Sequence, residues 1–514
     1  MMTEPGAGNR IVVIGSGFGG SVTSARLAEA GFDVTVLERG PWRDTVPVRS
    51  MGIGERTPFP RGWRLITGLF RTIGSERLWM KRLSPNKRGL YEFFFGNKVN
   101  VLCSSNVGGG SHVYSAINIR PVVDNYWDGH DPAISTDQME RHYKAVLERM
   151  DSTTPMADHA IPNTSFARFH DSDVLEPAPP PPDPRLGFLF PEETGNPRRI
   201  TNAEGIERHE VDFNNPDDGF LGSPNGAKTT LDFVYLAPAL KRGLTVRDLC
   251  EVSAIVRLEP EGDARYRIEF HDHHTNRDDA LEADHVILAA GTLNTLRLLF
   301  HSRDVARGLV GMPMLGQRFG TNGDMMAYWD YNEPGTDLSV GLPTAGGYRV
   351  KGAEVPPMMG GGGFPSIDSY PLPKRIRERI KRGSFMAGIG EDAMDGVVTY
   401  DRGRLRIGYD PDNSPIFRRL YDTVDAIAEK TGRKIYRPKK PITVHPTGGA
   451  RLGATIAEGV VDANGEVFDN PGLYVADAAA LPRAPGGPPS MTIAAWANHI
   501  ADRFIERHGP DTSR

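Results

Sequence analysis

The chain has 514 residues, enough for two or more domains or one large interleaved unit. Its 39% hydrophobic and 24% charged content is ordinary for a globular protein, and a formal net charge of −5 gives no reason to expect nucleic acid as a partner. Two cysteines, Cys103 and Cys250, stand apart with no Cys-x-x-Cys spacing, so the composition argues against a disulfide framework and for a reducing, cytoplasmic setting.

Residues 1–9 are short and polar, unlike a signal or transit peptide. Residues 11–14, Ile-Val-Val-Ile, are an all-apolar run that suits a strand covered on both faces. Gly15, Gly17 and Gly20 follow as Gly-x-Gly-x-x-Gly, with Phe18 and Gly19 between them. A helical segment and a second strand ending at Glu38 come next. The first glycine permits the tight turn, the second lets backbone approach a pyrophosphate, and the third lets helix and strand pack closely. The helix N-terminus offers free N–H groups to phosphate, and Glu38 stands where an acid accepts an adenosine ribose hydroxyl. The ordered set predicts a dinucleotide site without separating NAD from FAD. The acid at Glu38 disfavours NADP.

From 61 to 88, eight Lys or Arg stand against one acid, Glu76, with Trp63, Leu65, Ile66, Leu69, Phe70, Ile73, Leu78 and Trp79 interleaved. Two readings fit: a solvated helical excursion, or a basic amphipathic surface making peripheral contact with anionic lipid. Gly108, Gly109 and Gly110 before Ser111 suit a loop whose backbone passes close to a flat or anionic ligand. Residues 124–150 carry a helical pattern, and six prolines between 177 and 184 predict an extended strap. Helix is expected over 231–240 and strands over 245–258, 266–270 and 285–289. His271, His273 and His274 read as a solvated hairpin tip, and no Cys/His set has metal-ligand spacing. The apolar strand before Gly291, leading into a helix, repeats the opening arrangement, as another strand of one parallel sheet would. Short strands and the glycine run 360–363 mark 320–410, and Ser414-Pro415 opens a helix that Gly432 closes. The chain ends with His445-Pro-Thr-Gly-Gly, a strand reaching Asp477, Gly487-Pro488-Pro489-Ser490 and a helix from Met491. The longest apolar run, 286–290, is too short to span a bilayer.

Taken in order, these blocks resemble the glucose–methanol–choline (GMC) family of FAD oxidoreductases, in its cholesterol-oxidase-like branch, over most of the chain. The opening turn matches the family's ADP-binding motif, and Val107-Gly-Gly-Gly-Ser111 looks like its flavin-contacting loop. Val252 stands where the family holds the adenine edge through backbone, and Leu288-Ala-Ala-Gly291-Thr292 looks like its central strand end. Phe319-Gly-Thr-Asn-Gly323 is similar to a family Gly-x-Asn-Gly step, His445-Pro-x-Gly-Gly to its active-site histidine motif, and Leu473-Tyr-Val-x-Asp477 to its ribityl-binding acid. Pro489, Ser490 and Met491 fall in the following flavin-contacting segment.

The resemblance implies an α/β fold: a doubly wound Rossmann-type FAD domain, interleaved with a substrate domain built on a mostly antiparallel sheet plus helices. The FAD domain is expected over 8–45, 96–125, 225–330 and 440–514. The substrate domain and lid are expected over 46–95, 126–224 and 331–439. It implies oxidation of an alcohol, here a sizeable hydrophobic one such as a sterol, by hydride transfer to flavin with His445 as base. Histidine suits proton transfer near neutrality.

Two departures qualify this. Family members place Asn or His where this chain has Pro488, which has no donor. Water, His499 or a substrate-domain residue is then required in its place, and Glu391 and Asp392 are loose candidates for a second acid. Family members that tether FAD do so through a histidine two residues after the loop serine, whereas His112 comes one residue after Ser111, so FAD is expected to be non-covalent. The lost donor also motivates two other functions: a sugar or polyol dehydrogenase passing electrons to a quinone or acceptor protein, or a flavoprotein with redox-neutral or lost alcohol-oxidising activity.

Overall fold

A computed structural model describes residues 10–509, except 77–81, 154–173, 178–184, 194, 215–216, 259–264 and ten positions between 331 and 355 (331, 333, 336, 340–341, 343–346, 355). The proline strap beyond Pro177, and Leu78 and Trp79 of the basic stretch, lie outside the described residues.

The opening residues form the strand Arg10–Ile14, the helix Phe18–Glu29 and the strand Asp33–Leu37. They sit in a five-stranded parallel sheet ordered Thr245–Arg247, Asp33–Leu37, Arg10–Ile14, His285–Leu288, Leu473–Val475. Ile11, Val13, Val34, Val36, Val286 and Leu288 are essentially inaccessible, as strands covered on both faces require. The helix Ser490–His508 packs on Phe18–Glu29 and on the helix Thr136–Arg149, forming one covering layer. That second helix starts where Ser135 accepts from Gln138 N and the Gln138 side chain accepts from Ser135 N, a reciprocal capping box. The strands Cys250–Arg257, Tyr266–Asp272 and Arg277–Ala283 make an antiparallel flap, and the three histidines at its tip pair with Asp278, Glu251 and Asp248.

A second, six-stranded antiparallel sheet runs Lys434–Tyr436, Met325–Asp330, Gly383–Ile389, Met358–Gly362, Gly347–Val350, Leu175–Pro177. The helix Pro415–Thr431 ends at Gly432, whose φ of +65° gives the left-handed turn that glycine adopts without cost. Ser414 does not cap it with its side chain; its hydroxyl accepts from Ala393 N instead.

Three segments depart from the sequence reading. Residues 61–88 are not one helical excursion: a single turn, Arg64–Gly68, gives way to the strand Phe70–Ser75, which pairs with Tyr91–Phe95 beside Asn100–Ser104 and Ile442–Thr443. Sheet partners elsewhere in the chain decide this conformation, and local periodicity does not register them. Met325–Asp330 belongs to the antiparallel sheet although the expected border falls at 330. The helix Thr136–Arg149, expected with the substrate domain, packs in the helical layer of the parallel sheet.

Candidate active site

One cavity of about 1140 Å³ begins at the C-terminal ends of the parallel strands, where open α/β sheets bind ligands, and continues along the antiparallel sheet. It exceeds the 300–1,000 Å³ usual for a single drug-sized ligand.

At the first end, Gly15 turns with φ +96°, and a Cβ there would lie 2.4 Å from the Ala289 carbonyl oxygen. A Cβ on Gly20 would lie 1.9 Å from the Gly15 carbonyl oxygen, so Gly20 serves helix–strand packing and does not line the cavity. Gly17, Phe18 and Gly19 line it where the helix begins without a side-chain cap, leaving its first N–H groups available to an anion. Glu38 is buried on the same wall: one carboxylate oxygen accepts from Ser16 N and Oγ at 2.9 and 2.8 Å, the other from Gly40 N at 2.7 Å. Burial raises its pKa, partly offset by the Gly40 bond. Arg39 forks onto Glu92 at 2.6 and 2.5 Å and so is committed elsewhere than to a 2′-phosphate.

The loop 106–114 crosses this turn so tightly that a Cβ on Gly109 would lie 2.5 Å from Gly17 Cα. Gly109, Gly110 and Val113 line the cavity. Gly108 faces Asp232, and Ser111 Oγ donates to the Gly108 carbonyl while accepting from Leu231 N, so these two shape the loop from behind. His112 is fully buried, with Nε2 2.8 Å from the Val107 carbonyl oxygen, and stays off the cavity wall. Val252 lines the same end of the cavity at a β-bulge. There Arg71, Arg82 and Lys87 converge on Glu251 at 3.0, 3.2 and 3.6 Å, while Arg39 and Arg82 hold Glu92. Despite burial, Arg39 and Arg82 pull the Glu92 carboxyl down to about 2. Three cations of the basic stretch, Arg71, Arg82 and Lys87, are thus engaged by acids of this chain.

Gly291, φ +81°, lines the middle of the cavity. Asp477 accepts from Gly291 N and Ala479 N, both at 2.9 Å, and from the Thr295 hydroxyl; burial raises its pKa to about 6. Pro488, Pro489 and Ser490 line the wall at the start of the 490–508 helix, whereas Met491 points into the core and lies off the cavity.

The residues present fit FAD on two observations. A Cβ on Gly17 or Gly291 would meet nothing within 4 Å, although both line the cavity, so the room beside them is open to a ligand. Asn106 Nδ2 and Ser490 Oγ are buried on the cavity wall with no partner among the described residues, and such donors cost about 1–3 kcal/mol unless a ligand satisfies them. Asn106 stands at the head of the glycine loop, yet glycine spacing alone gives no sign of its side chain's role.

The second end is organised around His445. Its turn is clamped by Gly448 N donating to the Ala478 carbonyl at 2.9 Å and by Gly448, φ +81°, whose Cβ would strike the Arg318 carbonyl oxygen. His445 Nδ1 lies 2.8 Å from Asp324 Oδ1. Asp324 Oδ2 also accepts from Thr443 Oγ1, Val444 N and His445 N at 2.8, 2.8 and 3.1 Å. A carboxylate can only accept, so Nδ1 carries the proton and the Nε2 lone pair is left without a partner among the described residues. Both residues line the cavity.

Asp324 was not singled out by the sequence, although it directly follows Phe319–Gly323. Asn322 holds the wall from behind: its Nδ2 donates to the Gly487 carbonyl at 2.8 Å and its Oδ1 accepts from Gly486 N at 3.0 Å. His499 is buried against the Ala463 carbonyl, Asp392 is held by Thr321 and Tyr409, and Glu391 pairs with Arg483; none lines the cavity. No described group of three or more His, Cys, Asp or Glu is placed to hold a metal.

Sequence models described as GMC oxidoreductase match residues 202–316 and 422–497, and one described as NAD(P)-binding Rossmann-like domain matches 13–42. A cholesterol oxidase of Mycobacterium tuberculosis is 25% identical over 577 residues, covering 98% of this chain and 92% of that protein. The long-chain-alcohol oxidase FAO1 of Arabidopsis thaliana is 24% identical over 570 residues, covering 96% of this chain and 66% of that protein. Among solved structures, a pyridoxine 4-oxidase from Mesorbium loti superposes with a TM-score of 0.55 at 17% identity, covering 97% of this chain and 99% of that one. A fungal aryl-alcohol oxidase superposes at 0.53 and 15% identity, covering 97% and 98%.

Proposed function

We propose, for a chain that belongs to the GMC oxidoreductase family of FAD-dependent enzymes acting on CH–OH groups, that the substrate is a sizeable hydrophobic alcohol, such as a sterol, and that His445 is its base. The observation carrying this reading is the placement of His445: Asp324 fixes its tautomer, and its free Nε2 lies on a cavity that joins the dinucleotide turn to an apolar sheet face. Bound FAD would supply the acceptor, at flavin N5, for the hydride that leaves the carbinol carbon. Nε2 takes the hydroxyl proton. Asp324 keeps the ring oriented and stabilises the imidazolium as it forms.

Glu38, the 15–20 turn and Val252 would hold the ADP half; Asn106, Gly109, Gly110, Gly291, Asp477 and Ser490 would hold the flavin half. Met326, Met358, Phe385 and Ile389 offer the apolar wall for the body of the alcohol and exclude water from it. The relatives named for cholesterol and for long-chain alcohols support a bulky apolar substrate. Non-covalent FAD is supported by His112, which is turned into the protein, and by Val113 in its place on the cavity wall.

Pro488 favours one further reading: with no side-chain donor at position 488, electrons pass to a quinone or acceptor protein rather than to oxygen. The purified protein tests both. Its visible spectrum is recorded before and after acid precipitation, then anaerobically with sterols, long-chain alcohols and sugars. Flavin released by acid and bleached by the first two classes is the expected result; bleaching by sugars alone would overturn the substrate reading. Reoxidation by air in competition with a quinone separates the acceptors.

A further inference from the structure

We infer that the alcohol substrate also carries a carboxylate, bound by Arg349 on the antiparallel-sheet wall, three strands across from the Asp324 that holds His445. The inference rests on the proposed alcohol oxidation and adds the substrate's second polar group.

Antiparallel register fixes the geometry. Met325 pairs with Gly388, Met358 with Ile389, and Arg349 with Met358. Asp324 immediately precedes Met325, so Asp324, Ile389, Met358 and Arg349 form one row across four strands. Directly opposed residues share a sheet face, and all four line the cavity. Three strand spacings put the Arg349 backbone about 14 Å from that of Asp324, whose carboxylate holds His445. The next row on the same face is Met326, Ala387 and Gly360, which continue the apolar wall with two small residues that leave room for a broad body.

Arg349 is the exception on this wall. Of the four arginines lining the cavity, Arg39 and Arg120 fork onto Glu92 and Glu140, while Arg297, on the stretch of wall beside Glu251, keeps its buried Nε unpartnered among the described residues, so that Arg349 is the unpaired one on the antiparallel sheet. Arg349 is half-buried and has no hydrogen bond or ion pair among the described residues. Glu176 stands opposite it on the outermost strand, exposed, without an ion pair between them. A guanidinium facing an apolar cavity is costly unless an anion meets it there, and its fork matches a carboxylate. The alcohol half of the cavity thus has a proton acceptor on one side, an apolar floor, and an unpaired cation on the other. The complementary molecule is an amphiphile with hydroxyl and carboxylate at opposite ends of an apolar body.

The test uses the FAD-loaded protein with 12-hydroxydodecanoate and a 3-hydroxysteroid bearing a side-chain carboxylate, each against its methyl ester. Dodecanoate, which has no hydroxyl to oxidise, is titrated by its effect on the flavin spectrum. The wild type should prefer at least one acid over its ester in kcat/KM. Arg349→Met should lower that acid-to-ester ratio about 10- to 100-fold and weaken dodecanoate to the same degree, and Arg349→Lys should recover part of both. FAD content reports that each variant is folded.

A wild type indifferent to the carboxylate, or a ratio unchanged in Arg349→Met, overturns the inference while bleaching by neutral alcohols leaves the oxidation standing. If no alcohol reduces the flavin, the oxidation reading fails, and dodecanoate affinity alone decides whether Arg349 binds carboxylate.

Discussion

The two ends of the cavity are built by opposite means. At the dinucleotide end the wall is mostly backbone: Gly15, Gly17, Gly109 and Gly291 let main chain stand where side chains would otherwise be, and one buried acid, Glu38, supplies polarity. At the alcohol end the wall is side chain on a sheet face, and one histidine is aimed by an acid 121 positions earlier in the chain. Backbone walls leave the space beside them to the ligand and so suit one that does not vary. Side-chain walls can be rewritten one residue at a time without disturbing the ladder beneath them, which suits the part of a site that chooses among substrates.

The largest effects should appear where the side-chain end meets the chemistry. His445→Ala should lower the flavin reduction rate by about two to four decades while FAD content stays at wild-type level. An unchanged rate would remove His445 from proton transfer. Asp324→Asn is expected to cost roughly a hundredfold through loss of ring orientation and to alter the pH profile of reduction. A variant that loses only FAD, with reduction normal in the loaded fraction, would confine Asp324 to architecture.

The backbone end should split into fold and ligand effects. Gly20→Ala forces a Cβ onto the Gly15 carbonyl and should cost about 1–3 kcal/mol of stability, seen as a lower denaturation midpoint in the apoprotein. Gly17→Ala meets nothing in the chain, so apoprotein stability should hold while the same energy appears in the FAD Kd, about 5- to 150-fold weaker. Equal losses of stability in both variants would contradict the division of roles.

A smaller effect concerns pH. Burial raises Asp477 to about 6, and ligand hydroxyls donating to the carboxylate would favour its ionised form. FAD binding then releases a proton below that pH. Affinity should rise with pH up to about 6, by at most tenfold per unit, and level off above it. Flavin fluorescence titrations at pH 5 and 7 check this, and equal affinities would mean that the acid does not meet the ligand.

The smallest expected effect lies outside the cavity. Trp63 and Ile66 are 78% and 68% exposed beside Arg64, on the turn leading to the cavity-lining Leu69 and Phe70. Replacing both with serine should slow oxidation of an alcohol presented in anionic vesicles about tenfold, and leave a water-dispersed alcohol unaffected. Equal slowing of both would rule out a lipid-contact role.

The contrast also explains what could be read from sequence. Gly15 to Glu38 is a local pattern: each residue's task is set by neighbours a few positions away, and the structure places strand, turn, helix and acid in the predicted order. His445 was recognisable by its Pro-Thr-Gly-Gly context. Asp324 was not, because no spacing rule ties an orienting acid to a histidine so far along the chain. Arg349 faces the cavity only through the register of three strand pairings, none of which leaves a local mark. The stretch 61–88 misled for a related reason. Its charges and apolar residues alternate as on a helix, but Phe70–Ser75 takes its conformation from Tyr91–Phe95, and its arginines answer Glu92 and Glu251, one of them far downstream.

That ion-pair cluster bears on the lifetime of the holoprotein. Arg71, Arg82 and Lys87 meet Glu251, and Arg39 meets Glu92, and of these Arg39 and Glu251 line the dinucleotide-turn side of the cavity. These pairs tie the strand Phe70–Ser75 and the segment after it to Glu251 and Glu92, so they brace the cavity wall that Arg39, Glu251 and Val252 form. Screening weakens such pairs as ionic strength rises. Salt should therefore shorten the cofactor's residence time, and a cell of low ionic strength would keep each chain with the flavin it first acquired.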